Sequence, residues 1–267
     1  MNWKPLLPAL LLSLTGFAQK KDLPQQTYTR LVWADEFNKA GLPDEKNWNY
    51  EEGYLRNHEL QFYTRLRPQN ARIEKGNLVL TARNDSMQHD GKVVPITSAS
   101  LVTKGLHQWT YGYIEVRAQI PNALGTWPAI WTLGSNIKEA GWPLCGEIDI
   151  MEHVGYMPDT LHFNVHTKKY NHAAGSGKGT KIYVQNPHNG FHTYGVARFP
   201  DHIDWYFDGK KVFSYANEKT DVEAWPFDKP QYLILNLAYG GDWGGRKGVD
   251  TKSLPQSMLV DYVRVYQ

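Results

Sequence analysis

Glu147-Ile148-Asp149-Ile150-Met151-Glu152 sets three carboxylates among β-favouring apolar residues. Charged groups rarely enter an apolar strand without a role, because each has to be desolvated. Strand side chains alternate faces, so Glu147 and Asp149 point one way and Ile148 and Ile150 the other. Strict alternation would then send Glu152 to the isoleucine face. One extra residue, a β-bulge near Ile150 or Met151, returns Glu152 to the acidic face, and such bulges concentrate beside active sites. The spacing predicts a bulge there.

Carboxyl groups gathered on a stiff strand suit acid/base and nucleophilic work on a glycosidic bond, where a retaining pair stands about 5–5.5 Å apart. With Asp149 between the two glutamates, not all three can ionise together, and at least one proton is retained near neutral pH. A calcium cluster and a solvated acidic face are the plainer alternatives. Three acids on one predicted face, flanked by tryptophans, favour catalysis.

Around this segment the chain offers short β-type runs punctuated by Gly, Pro, Asn and Asp, and no convincing amphipathic helix. The runs are 78–82, 111–119, 129–133, 147–153, 160–167, 193–199, 203–207, 211–215, 232–238 and 259–266, with Asp208-Gly209 marking a hairpin turn. Many short strands without alternating helices predict an all-β sandwich. Neither an internal repeat nor a linker divides the 267 residues, which read as one domain over 19–267 after a leader over 1–18.

The leader reads as a secretory signal. It has Lys4, a short apolar run from Leu6 to Leu14, and small residues before a cut near Ala18, which implies a secreted or periplasmic protein. The run is far shorter than the roughly 20 residues a membrane span needs. A net charge of +2 gives no reason to expect nucleic acid or an anionic membrane as partner. The single cysteine, Cys145, excludes an intrachain disulfide framework, and packing is its expected role. By contrast, 10 Trp, 16 Tyr and 9 Phe exceed what a core needs and suit stacking on the apolar faces of sugar rings.

Gly125-Thr-Trp-Pro-Ala-Ile-Trp131 followed by Trp142-Pro-Leu-Cys-Gly-Glu-Ile-Asp-Ile-Met-Glu152 closely resembles the laminarinase-like branch of glycoside hydrolase family 16. Supporting matches are Trp33-Ala-Asp-Glu-Phe-Asn38, Asn57-His-Glu-Leu-Gln-Phe-Tyr-Thr64, Tyr111-Gly-Tyr-Ile-Glu-Val-Arg117, Leu235-Asn-Leu-Ala238 and Asp261-Tyr-Val-Arg-Val-Tyr266. The resemblance implies a β-jelly-roll sandwich of two antiparallel sheets with a concave glycan cleft. It further implies an endo-β-glucanase that hydrolyses β-1,3-glucan or mixed-linkage β-1,3/1,4-glucan by retaining double displacement. Carried over, Glu147 is the nucleophile, Glu152 the acid/base and Asp149 the assisting acid. A galactanase acting on agarose or porphyran, or a non-catalytic glycan-binding module, are the alternatives. The module would be expected to lose Glu147 or Glu152.

Other candidates follow from spacing and resemblance together. Trp127 and Trp131 have even strand spacing, which leaves core and cleft equally open; the resemblance places both in the cleft. Trp142 is expected to reach it from the preceding loop, and Trp243, within Gly240-Gly-Asp-Trp-Gly-Gly245, to stand at its rim. In Leu161-His162-Phe163-Asn164-Val165-His166 the polar residues share one face, and the resemblance sets His166 near the acid/base. A zinc site from His162, His166 and His172 is disfavoured, because two residues four apart on a strand are roughly 13 Å apart. Gly175-Ser-Gly-Lys-Gly179 is expected to be a mobile loop near the cleft.

The resemblance makes Asn57 a partner for sugar hydroxyls on the non-reducing side, and Arg83, ending its strand, is a candidate for the same task. Glu36, the Gly76 carbonyl and Asp261 match positions that bind a structural calcium in many relatives. No cofactor is expected for catalysis itself, and the protein is expected to act as a monomer. Where many relatives carry an acidic residue followed by Trp before the hairpin, this chain reads Ala197-Arg198.

Overall fold

The strands sort into two stacked sheets, mostly antiparallel, in the computed structural model, which describes residues 27–267. The leader over 1–18 lies outside the described residues. One sheet has seven strands, in the spatial order Lys178–Tyr183, Thr160–His166, Glu147–Glu152, Thr126–Gly134, Gln231–Tyr239, Ser100–Val102 and Asn49–Tyr50. Ten strands form the other, whose centre is Gly112–Gln119, Gln256–Tyr266 and Asn77–His89. The arrangement is a β-jelly-roll sandwich.

Alternation builds the core between the sheets. Leu161, Phe163 and Val165 of one sheet, and Leu78, Leu80, Val116 and Val263 of the other, belong to one buried cluster that runs from Phe37 to Val265. The strand Gln231–Tyr239 is buried throughout. Leu233, Leu235 and Leu237 face the core, while Tyr232 and Ile234 join Trp131 and Leu133 in a second cluster on the opposite face. A strand covered on both sides needs such a continuous apolar run.

Each predicted run overlaps a strand, with most ends within one or two residues of the expected bounds and the larger extensions at 78–82, 129–133 and 259–266. The run at 78–82 continues to His89 and turns back through Asp90-Gly91, both at positive φ, into Lys92–Ser98. Asp208-Gly209 makes the predicted turn in the same way, with φ of 46° and 70°.

Two expectations need correction. Gly175–Gly179 is not wholly a loop, because Lys178 opens an edge strand paired with Thr160–His166. Gly240–Gly245 contains a one-turn helix, Gly241–Gly244, that carries Trp243. Among the described residues no helix is long and apolar enough to cross a membrane.

Candidate active site

The bulge forms where the spacing predicts it. Asp149 pairs with Asn164 on one side and Trp131 on the other, but the next pairs are Glu152–His162 and Met151–Ile130. Ile150 and Met151 both enter the core, and Glu152 returns to the face of Glu147 and Asp149. From the opposite sheet, the buried Trp205 reaches through the core and its Nε1 donates to the Asp149 carbonyl (2.8 Å), where the ladder is interrupted. Trp205→Phe keeps one aromatic ring, removes that donor and loses some buried volume. It is expected to cost about 1–3 kcal/mol, the penalty for a buried unsatisfied carbonyl, and to lower turnover by misaiming Glu152, both read from unfolding curves and kcat.

The three acids sit in a cleft of about 1160 Å³ on the seven-stranded sheet. Indoles hold both glutamates: Trp142 Nε1 donates to Glu147 Oε2 (3.0 Å) and Trp127 Nε1 to Glu152 Oε1 (3.0 Å). Asn164 Nδ2 donates to Glu152 Oε2 (3.2 Å). Gly179 lies opposite Asn164 on the edge strand, where a Cβ would collide with Asn164 Oδ1 and the Phe163 carbonyl. Glycine therefore leaves Asn164 room to hold Glu152.

Burial pushes each of the three carboxyl groups up to about 8, and the charge of Asp149 adds to the rise in both glutamates. Asp149 is 2% exposed. Between roughly pH 4, the ordinary carboxyl range, and about 8 the folded protein binds more protons than the unfolded chain, so this cluster costs stability as pH rises. Asp149→Asn removes one such group. It is expected to stabilise the fold by about 2 kcal/mol at pH 8, roughly 4–8 °C in Tm. The gain should vanish below pH 4, and a scan of Tm against pH checks the sign.

Around the acids the cleft collects Asn57, Trp127, Trp131, Trp142, His166 and Trp243. Trp243 packs edge-on against Trp127 and His162. Trp131 donates through Nε1 to Asn236 Oδ1 (2.7 Å). A set of paired carboxylates, apolar ring platforms and amide donors in one open groove is equipped to bind a glycan and cleave it.

A family model of glycosyl hydrolases family 16 matches residues 58–264. The chain belongs to glycosyl hydrolase family 16. A β-glucanase from Rhodothermus marinus is 48% identical over 246 residues, covering 89% of this chain and 85% of that protein. Among solved structures, a variant of SCLam, a non-specific endo-β-1,3(4)-glucanase of the same family, superimposes with a TM-score of 0.85 at 46% identity, covering 89% of this chain and 94% of that one. The laminarinase from Rhodothermus marinus gives 0.83 at 45% identity, covering 89% and 97%.

Against this family-16 frame, three site expectations change. His166 lies across from Glu147, with Nε2 3.2 Å from Asp149 Oδ2 and 3.7 Å from Glu147 Oε1, so its direct neighbours are these two acids and it acts on Glu152 through charge. The strand runs antiparallel, which carries its C-terminal end to the start of the acidic strand. Arg83 is outside the cleft: it lines a depression of about 540 Å³ on the other sheet, beside Arg72 and Ser257, and pairs with Asp85. Its strand belongs to the sheet behind the core. Glu36 gives both carboxylate oxygens to Arg264 (2.8 and 2.9 Å), and Asp261 pairs with Arg117 (2.5 Å). With these oxygens committed to guanidinium groups, the set does not fit a calcium held through its carboxylates.

The three histidines also separate, since His162 packs on Trp243 while His166 and His172 stand with ring centroids 5.0 Å apart. Ala197 and Arg198 are buried in the ten-stranded sheet, where Arg198 donates to the carbonyls of Trp109, Phe227 and Lys229. Their departure from the family pattern therefore leaves the cleft unchanged.

Arg56 is the cleft residue that the motifs miss. Its guanidinium pairs with Glu51 and lies over the Trp131 ring at 5.0 Å, so that indole presents a charged cover where a bare stacking face was expected. Its neighbour Asn57 was the only signal in that loop.

Proposed function

We propose that the chain is a retaining endo-β-1,3(4)-glucanase that cuts internal bonds of β-1,3-glucan or mixed-linkage β-1,3/1,4-glucan. The observation that carries this reading is the bulge at Ile150, which returns Glu152 to the face of Glu147 and Asp149. Glu152 protonates the leaving oxygen as Glu147 attacks the anomeric carbon, giving a glycosyl-enzyme. Glu152, now ionised, takes a proton from water, whose oxygen displaces Glu147 and restores both groups. Asp149, buried beside Glu147, shares a hydrogen bond with it and keeps the cluster from full ionisation.

His166 favours the carboxylate form of both glutamates, as do the indole and amide donors on Glu152, so the proton on Glu152 is assigned by the retaining mechanism and not by these contacts. The protein acts outside the cytoplasm as a monomer after loss of the leader.

Products from laminarin, barley β-glucan, lichenan, agarose and porphyran test the substrate. Proton NMR of the first anomer released tests retention. Products from a galactan alone, or an inverted first anomer, would replace this reading.

Catalysis needs no metal. A calcium at Glu36, Gly76 and Asp261 would have to use main-chain carbonyls and the free Asp261 oxygen, on a different sheet from the acids. Exhaustive EDTA treatment is therefore expected to leave kcat on laminarin unchanged, with any effect confined to Tm. Lost turnover restored by calcium would overturn this.

A further inference from the structure

We propose that Glu147, Asp149 and His166 form a zinc-binding site, and that zinc held there blocks hydrolysis. One donor atom from each residue lies within 4.8 Å of the other two, and no other grouping of His, Cys, Asp and Glu among the described residues does the same. A tetrahedral zinc ion with bonds of about 2.0–2.2 Å holds neighbouring ligand atoms about 3.4 Å apart. His166 Nε2 stands 3.2 Å from Asp149 Oδ2 and 3.7 Å from Glu147 Oε1, so the ion fits with small side-chain shifts.

A second feature points the same way. Asp149 Oδ2 is buried and accepts no hydrogen bond, although its side chain is only 3% exposed and aimed at the imidazole. A buried carboxylate oxygen that accepts no hydrogen bond is costly, and a metal cation shared with the neutral imidazole nitrogen 3.2 Å away would satisfy it.

The donor set selects the ion. One imidazole nitrogen and two carboxylates suit zinc, whereas calcium takes six to eight oxygens and magnesium keeps an octahedral shell of water. Glu147, the most exposed of the three at 15%, leaves the fourth position facing the cleft. His166 Nδ1 has no hydrogen-bond partner. Without one to fix the ring, affinity should be some 10–100-fold below that of a supported site.

Binding stands on geometry alone. Blocking rests on the reading of Glu147 as nucleophile, because zinc would hold the oxygen that must attack.

The test uses the whole mature protein and cobalt as a coloured stand-in. Cobalt is expected to give the visible bands of a tetrahedral site at one equivalent, and zinc to bleach them. Those bands should be missing in His166→Gln and suppressed in wild type by a saturating laminari-oligosaccharide. In parallel, about 100 μM zinc chloride is expected to lower laminarin hydrolysis about tenfold, while equal calcium or magnesium leaves it unchanged. Absence of the bands, or bands that survive both His166→Gln and the oligosaccharide, overturns the site. Bands with undiminished hydrolysis overturn the blocking and count against Glu147 as nucleophile. Glu147→Gln lacking turnover, with no cobalt bound to wild type, would instead retain the enzyme reading and remove only the zinc site.

Discussion

Glu147→Gln is expected to lower laminarin turnover about 10⁴-fold or more while glucan binding persists, the loss typical of removing a group on which a covalent step depends. The amide has the shape of the acid and still offers an oxygen to Trp142 Nε1, so the loop that carries Trp142 should stay in place. What disappears is the carboxylate able to form the glycosyl-enzyme. The fold should not suffer. Glu147 is a buried acid whose charge form is disfavoured by burial and by Asp149, so the neutral amide removes a destabilising group above neutral pH. Lost turnover with a raised Tm at pH 8 separates a chemical role from damage to the fold. Turnover within tenfold of wild type would sink the nucleophile assignment.

How much of this was legible depended on the range of the interaction. Period-two alternation and turn chemistry are local, so the strands, the Asp208-Gly209 hairpin and the bulge could be read from the residues themselves. Trp142 is five residues from the acid it holds, whereas Trp127, 25 residues from Glu152, was placed in the cleft by the resemblance, and both stand there.

Partners set by strand pairing were harder. The resemblance set His166 near Glu152, but antiparallel pairing puts it directly across from Glu147. Arg83 looked like a groove residue because it ends an apolar run, yet that run continues in the sheet behind the core. The hydrogen bond from Trp205 to the Asp149 carbonyl joins residues 56 apart through the core, and nothing in the local pattern announces it. Arg56 fails for a further reason: it lies in irregular backbone, where no period says which way a side chain points.

The second large effect should fall on Glu152, and its size should depend on the leaving group. Glu152→Gln is expected to cut glucan hydrolysis by about 10²–10⁴-fold, the usual worth of a positioned general acid. An aryl glucoside oligomer whose phenolate leaves without a proton should lose little in the first step. Its second step, which needs Glu152 as base, should become slow, so that a burst of phenolate precedes a slow steady rate. Burial pushes the Glu152 carboxyl up to about 8, so wild-type kcat/KM should fall as pH rises through that range and the acid loses its proton. In Glu152→Gln that alkaline limb should be absent for the aryl substrate, because no titrating acid remains. A loss equal for good and poor leaving groups, with the limb intact, would make Glu152 a residue that positions the sugar and would move the proton donor elsewhere in the cleft. Glu152 accepts hydrogen bonds from two neutral donors, and the His166 imidazole bordering Glu147 acts through its charge on both glutamates. These contacts favour ionisation of both glutamates, so the leaving-group series is what measures whether the proton is on Glu152 when the bond breaks.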